Sequence, residues 1–253
     1  MPALRPLLTF AAALTIAVGC GSATDEEVDD PDLTTSATGG ATVYGASTSS
    51  CSTIAVQGLS QQLIDELACL DPNAVTKIEA SDNLALEPEV FPYLQAKAAD
   101  ALKSAVAAYG KPMKLNSALR TLPQQYMLRR WSLRDRCGVR VAAQVGSSNH
   151  ESGLAVDIDM DQGAVVNKAI RTKMIAAGFA WKGSGDPMHY DYTGDSKDLE
   201  GLSILAFKRL WNRNHPEAKL PLTNTYDALT EQKLRISPAD GFQTGARCDD
   251  PTP

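Results

Sequence analysis

The chain of 253 residues carries 24 basic against 30 acidic side chains, a formal charge of -6, with 43% hydrophobic and 6% aromatic residues. Charged residues at 21%, and no long apolar run beyond the N-terminus, exclude a chain disordered throughout, a collagen-like or coiled-coil rod and a polytopic membrane protein. The excess acid is local: six acids and no base fall within residues 21–50, so residues 51–253 carry a net charge of only -1, and no nucleic-acid partner is indicated.

In chain order, residues 1–20 read as an export signal. Arg5 is the positive start, residues 7–18 are an apolar stretch too short to span a membrane comfortably, and Ala17, Val18, Gly19 and Cys20 follow. This ending resembles a bacterial lipoprotein signal. The resemblance implies cleavage before Cys20 and a lipid on its thiol, so that the protein is exported and membrane-anchored without spanning. Gly21 stands where an Asp retains many lipoproteins at the inner membrane, which makes the periplasmic face of the outer membrane the expected location. Residues 21–50, rich in Asp, Glu, Ser, Thr and Gly, read as an acidic flexible tether with an r.m.s. reach of roughly 30 Å.

From Cys51 the pattern changes. Ile54, Val56, Leu59, Leu63, Leu67 and Leu70 recur at near-helical spacing. A second helix is predicted over 92–109, with Leu94, Ala98, Leu102 and Ala105 inward and Gly110 ending it. A short strand follows at 112–115, a helix at 123–131, a strand at 153–158, a helix at 164–177 stopped by Gly178, and a strand at 188–192. Helices and strands mixed without a βαβ rhythm predict an α+β domain over 51–195. Residues 196–253 turn helical again through Leu202, Leu205, Ala206, Leu210 and Trp211, with a last helix at 227–236. This segment resembles a small helical peptidoglycan-binding domain, with an extension that only packs on the catalytic domain as the equal alternative. In an oxidising compartment the four cysteines Cys51, Cys69, Cys137 and Cys248 favour two disulfides, with three connectivities open. The expected pairing is Cys51 with Cys69 and Cys137 with Cys248, because the first pair brackets one helical segment.

Two of the three histidines stand where metal chemistry would place them. His150 precedes Asp157 by seven residues, about 10 Å along a helix and more along a strand, so the two share a metal only if the chain folds back between them. Gly153 supplies a residue able to make that bend. His189 follows Asp186 by three residues in a turn entering a strand. Two His and one carboxylate, with a fourth position left to water, are the layout of a catalytic zinc site, and a further carboxylate outside the ligand set can take the proton from that water. His215 reads as a loop residue, and Asp157, Asp159 and Asp161 fail as a calcium loop because Lys168 occupies the position needing Glu.

These residues resemble the zinc D-alanyl-D-alanine carboxypeptidases and dipeptidases of the vancomycin-resistance type, which share a fold with the lysostaphin and hedgehog zinc domains. The family pattern SxHxxGxAxD is met by Ser148, His150, Gly153, Ala155 and Asp157. Its second motif, usually Glu-Pro-Trp-His, is met in part by Asp186, Pro187, Met188 and His189, and a third element by Ser117, Arg120, Thr121 and Gln125. The resemblance covers about residues 86–195. It implies a small antiparallel sheet with flanking helices around one Zn2+, held by His150, Asp157 and His189. It also implies Asp186 as general base and then acid, Arg120 on the substrate carbonyl and oxyanion, and Ser148, Ser117 and Gln125 at the substrate. The implied reaction is removal of a terminal D-Ala from peptidoglycan stem peptides. An L-alanyl-D-glutamate or cross-link endopeptidase and a cell-wall-binding lipoprotein with little catalysis remain open beside it.

Two departures bear on that expectation. Asp186 is one methylene, about 1.5 Å, shorter than the usual Glu, and a misplacement of that order costs on the order of 100-fold in rate if nothing compensates. Met188 in place of Trp removes a wall of the site. Arg129, Arg130, Arg134, Arg136 and Arg140 either attract acidic cell-wall stems or line a solvated helix face.

Overall fold

The computed structural model describes residues 39–197 and 199–249. The expected signal peptide, Cys20 and the tether as far as residue 38 lie outside them. The described chain opens with α1 (Val43–Ser49), a 3-10 turn (Thr53–Val56) and α2 (Gln57–Leu70). Three short strands follow, β1 (Thr76–Lys77), β2 (Leu84–Leu86) and β3 (Tyr93–Leu94), then α3 (Ala96–Tyr109), β4 (Met113–Ser117) and α4 (Leu122–Leu133). After a long loop come β5 (Ala155–Ile158), α5 (Ala164–Ala176), β6 (Phe179–Trp181), β7 (His189–Tyr192), α6 (Leu199–Asn214) and α7 (Ala228–Ile236).

The α+β class holds. Five strands form one sheet in the order β2-β4-β5-β7-β6, and β1 pairs with β3 in a separate two-stranded ribbon. The sheet is not wholly antiparallel as expected: β2 runs parallel to β4, since the chain returns between them through α3, and a parallel neighbour requires such a crossover. Helix α3 starts at Ala96 instead of 92 because Tyr93 and Leu94 are consumed by pairing with β1. Helix α4 starts where a capping box predicts, with the Gln124 amide oxygen accepting from the Thr121 N–H at 3.0 Å and Pro123 in the first turn.

Two apolar layers hold the molecule. In one, α3 and α5 pack on the sheet through Leu102, Val156, Ile158, Ile170, Met174 and Tyr190, each fully buried. The other gathers α1, α2, α4, α6 and α7 around Leu59, Met127, Trp131, Phe207, Leu210 and Leu234. Burying a side chain of this size is worth about 1.5–3 kcal/mol. The second layer corrects two expected boundaries. Residues 43–49 are not tether: Val43, Tyr44 and Ala46 are 0, 1 and 2% exposed, and Trp131 Nε1–H donates to the Ser47 carbonyl at 2.8 Å. The boundary at 195–196 does not separate two cores, because α6 and α7 complete the core that α1, α2 and α4 begin, as the packing extension weighed beside a peptidoglycan-binding domain would. The two chain ends are knitted together where Leu59 N–H donates to the Ala239 carbonyl at 3.1 Å and Ala239 N–H to Ala41 at 2.9 Å. Only glycine fits at Gly58, since a Cβ there would meet the Asp240 carbonyl oxygen at 2.2 Å.

A buried ion network fastens α2 to α6. The Glu66 carboxylate, fully buried, lies 2.6 Å from Arg209 Nε, accepts from Arg213 at 3.0 and 3.2 Å, and accepts the Arg247 N–H at 3.2 Å. Removing one partner strands the others' charge, so Glu66→Ala is expected to cost about 3–5 kcal/mol and lower Tm by roughly 10 °C, read by calorimetry. A loss under about 1 kcal/mol would show that the two arginines find compensation.

The disulfides differ from the expected pairing. Cys51 bonds Cys137 and Cys69 bonds Cys248, with Cα–Cα distances of 5.3 and 4.6 Å. Cys69 lies in the last turn of α2 while Cys51 precedes the 3-10 turn before that helix, and the fold brings each within the roughly 7 Å a disulfide needs of a cysteine far along the chain instead. The arginine cluster is largely structural. Arg136 donates to the Ser47 and Thr48 carbonyls at 3.3 and 2.7 Å, Arg129 to Ala142 at 3.1 Å, and Arg130 is 3% exposed with its guanidinium 4.3 Å from the Tyr44 ring centre.

Candidate metal centre

Strand register builds most of the site. Ser117 on β4 lies opposite Asp157 on β5, and Asp157 lies opposite His189 on β7. Directly opposed residues have Cβ atoms about 4.5–5.5 Å apart, so three adjacent strands deliver a row of three polar side chains to one face. The alternate residue Tyr190 points into the core and is fully buried.

His150 comes from outside the sheet, on the fold-back that the seven-residue spacing requires. Leu154 N–H donates to the Asn149 carbonyl at 2.9 Å and Gly153 N–H to His150 at 3.1 Å. Gly153 has φ +66°, and a Cβ there would sit 3.3 Å from the Gln95 backbone nitrogen. The preceding loop is wrapped around Glu151, whose buried carboxylate accepts the N–H groups of Gly146, Ser147 and Ser148 at 3.0, 3.2 and 3.1 Å. Burial pushes the Glu151 carboxyl up to about 8, against those hydrogen bonds.

The three expected ligands converge. His150 Nε2 is 3.3 Å from Asp157 Oδ2, His189 Nδ1 is 3.1 Å from Asp157 Oδ1, and the two ring nitrogens are 3.2 Å apart. One donor atom from each lies within 4.8 Å of the others. Each ring is held from behind: His150 Nδ1 bonds the Ala118 carbonyl at 2.8 Å, and His189 Nε2 bonds Asp191 Oδ1 at 2.8 Å. Both acceptors select the tautomer that turns a nitrogen lone pair inward. Two neutral imidazoles and one carboxylate fit Zn2+, leaving a fourth position for water.

The two rings differ in the metal-free site. Burial, with Arg120 nearby, pushes His150 below its ordinary value and keeps it neutral. Burial opposes the charged form of His189, but the hydrogen bonds to Asp157 and Asp191 outweigh it and raise the metal-free ring to about 9. Burial also opposes ionisation of Asp157, yet His150, His189 and Arg120 hold it well below the usual carboxylate range.

Arg120 reaches the same carboxylate, its Nη2 3.4 Å from Asp157 Oδ2 and 3.3 Å from Ser117 Oγ. Burial lowers its pKa while Asp157, Glu151 and Asp186 pull it up. Asp186, exposed in the turn entering β7, therefore acts on the site through space; its carbonyl accepts the His189 N–H at 3.3 Å. Gln125, expected at the substrate, is enclosed by protein in this structure. It is fully buried, with its oxygen accepting from Arg120 Nη1 at 3.0 Å and its amide donating to the Ala143 carbonyl at 2.8 Å, so it orients Arg120. Ser117 likewise faces His150 Nδ1 at 3.4 Å as well as Arg120. Ser148 is 6% exposed in the turn before His150. Met188 is 37% exposed, and its sulfur accepts from Asn116 Nδ2 at 3.6 Å. His215 stacks on Trp211 at 3.9 Å and takes no part.

No protein-family model and no curated protein matches the chain. Among solved structures it is similar to the LdcB LD-carboxypeptidase, described as revealing the basis of peptidoglycan recognition, at 20% identity and a TM-score of 0.40 over 53% of this chain and 73% of that one. It is also similar to VanYB in complex with D-alanine-D-alanine, at 20% identity and 0.33 over 52% and 83%. A third is a variant of the vancomycin-resistance D,D-pentapeptidase VanY in complex with Zn(II), at 21% identity and 0.32 over 52% and 88%.

Reading the sequence alone missed three residues of this centre. Glu151 and Asn149 lie inside the first motif at positions the family pattern leaves free. Asp191 lies two residues beyond His189, and the period of two along a strand was the available signal that it shares the histidine's face.

Proposed function

We propose that the chain is a zinc-dependent metallopeptidase acting on peptidoglycan stem peptides, cutting as a D-alanyl-D-alanine carboxypeptidase. The observation that carries the reading is the convergence of His150, Asp157 and His189, with the Arg120 guanidinium bonded to the same carboxylate and Asp186 near enough to act on Arg120 through space. When bound, zinc supplies a Lewis acid and lowers the pKa of a water. Arg120, fixed by Gln125 and Ser117, offers its positive charge to the scissile carbonyl oxygen as negative charge develops there. Asp186 accepts the proton of the attacking water and returns it to the leaving amine. Asp157 has its two oxygens turned to the two histidines, so it is not free for that proton transfer.

Met188, 37% exposed where the resembled family has Trp, favours a second reading, an endopeptidase that accepts peptide on both sides of the cut. Attachment to the outer membrane through Cys20 belongs to the same proposal and rests on residues 1–21 alone. The test is digestion of purified sacculi and pentapeptide muropeptides by residues 39–253, a length that retains α1, read by mass spectrometry. Loss of one alanine mass is the expected result. Internal cuts would replace it with the endopeptidase reading, and unchanged products from zinc-loaded protein would leave a cell-wall-binding protein.

A further inference from the structure

We infer that Asp191 is a positioning residue of the metal centre, fixing the tautomer of His189 and tying the loop of one histidine ligand to the strand of the other. The inference rests on the metal-centre reading above and concerns what Asp191 does to His189.

The geometry starts from β7. His189 and Asp191 are two residues apart in a strand and so share a face, while Tyr190 between them is buried on the other side. Asp191 Oδ1 lies 2.8 Å from His189 Nε2, the ring nitrogen that points away from Asp157 and His150. A carboxylate there accepts only, so Nε2 carries its proton, and Nδ1 is the nitrogen left to present a lone pair to a cation. The other tautomer would set a lone pair against a carboxylate oxygen at that distance and turn an N–H toward the position a cation would occupy.

The same oxygen accepts from Asn149 Nδ2 at 2.8 Å. Asn149 is the residue immediately before His150, so one carboxylate oxygen joins the irregular loop that carries His150 to the strand that carries His189. The loop has no ladder partner of its own here, and this bond supplements the Glu151 wrap in holding the two rings at a fixed separation. Asp191 Oδ2 faces Lys182 Nζ at 3.3 Å, which offsets the added negative charge. Lys182 follows β6, whose neighbour is β7, so Asp191 joins its own strand both to the loop of His150 and to the end of β6.

Carboxylates placed behind ligating histidines typically account for 10–100-fold in metal affinity. Asp191→Ala in the full chain is therefore expected to weaken zinc binding by at least tenfold in chelator competition. In the metal-free protein above about pH 10, where the His189 ring is neutral, long-range 15N–1H spectra are expected to show His189 changing from the Nε2–H form to a mixture of tautomers. Asp191→Asn keeps an acceptor and is expected to preserve the tautomer with a smaller loss of affinity, a rescue that a purely structural residue would not show. Asn149→Ala, which leaves His189 and Asp191 in place, is expected to weaken zinc several-fold and to be non-additive with Asp191→Asn, and it decides the matter if Asp191→Ala does not fold. Zinc affinity within twofold of wild type together with an unchanged His189 tautomer in Asp191→Ala, or full additivity in the cycle, would overturn the inference. Neither readout depends on peptide cleavage, so a chain that binds zinc through Asp191 yet leaves muropeptides intact would sink the peptidase reading and leave this one standing.

Discussion

Asp186→Ala is expected to lower pentapeptide turnover by on the order of 10³ while leaving zinc content unchanged. The carboxylate is exposed in the turn entering β7 and lies outside the His150, Asp157 and His189 set, so its removal takes away proton transfer and not a ligand. The informative companion is Asp186→Glu. The turn places the residue by backbone bonds, Asp186 N–H to Gly183 at 3.3 Å and His189 N–H to Asp186 at 3.3 Å, which fix where a side chain starts. A site shaped for the shorter acid is expected to lose about tenfold or more with Glu, since about 1.5 Å of displacement is costly in proton transfer. Activity above wild type with Glu would instead mark Asp186 as a weakened base. Loss of zinc in Asp186→Ala would overturn its separation from the ligand set.

His150→Ala is expected to reduce bound zinc from one ion per chain to a small fraction and to abolish hydrolysis altogether, a larger effect than removing the base. His150 is 1% exposed and supplies one of only three converging donors, while the fold around it is held by the Glu151 wrap, two disulfides and the apolar layers. The variant should therefore fold, and metal analysis beside a thermal melt separates loss of the ion from loss of the structure. Full zinc and full activity in His150→Ala would show the ligand assignment to be wrong.

The residues that could be read from the chain are those whose information is local. Helices α3, α4, α5 and α7 announce themselves through apolar spacing and end signals such as the box at Thr121 and Gln124 and the Asp227 cap on Thr230. The ligands were legible because His150, Gly153 and Asp157 encode the fold-back in their spacing. Helix α1 was not, because after Val43 and Tyr44 its residues Gly45, Ala46 and Ser47 are small or polar and continue the composition of the tether; their burial comes from Trp131 and α7 far along the chain. Strands β1, β2, β3 and β6 have two or three residues each, too few to show alternation. The role of Gln125 was misread for a similar reason. Its motif spacing places it beside Arg120, but only the packed structure shows that its far end is sealed against the Ala143 carbonyl.

The cystine arrangement carries a consequence for how the chain is made. In order of synthesis the half-cystines are Cys51, Cys69, Cys137 and Cys248, and the bridges interleave, first with third and second with fourth. A chain oxidised as it emerges N-terminus first has Cys51 and Cys69 available together long before either true partner. In the folded chain each of the two stands beside a cysteine far along the sequence, so the native pairing follows from tertiary packing and not from the order of synthesis. Cys69 must then wait 179 residues for Cys248. The last bond made thus reports that the chain from α2 to its C-terminal strap is all in place.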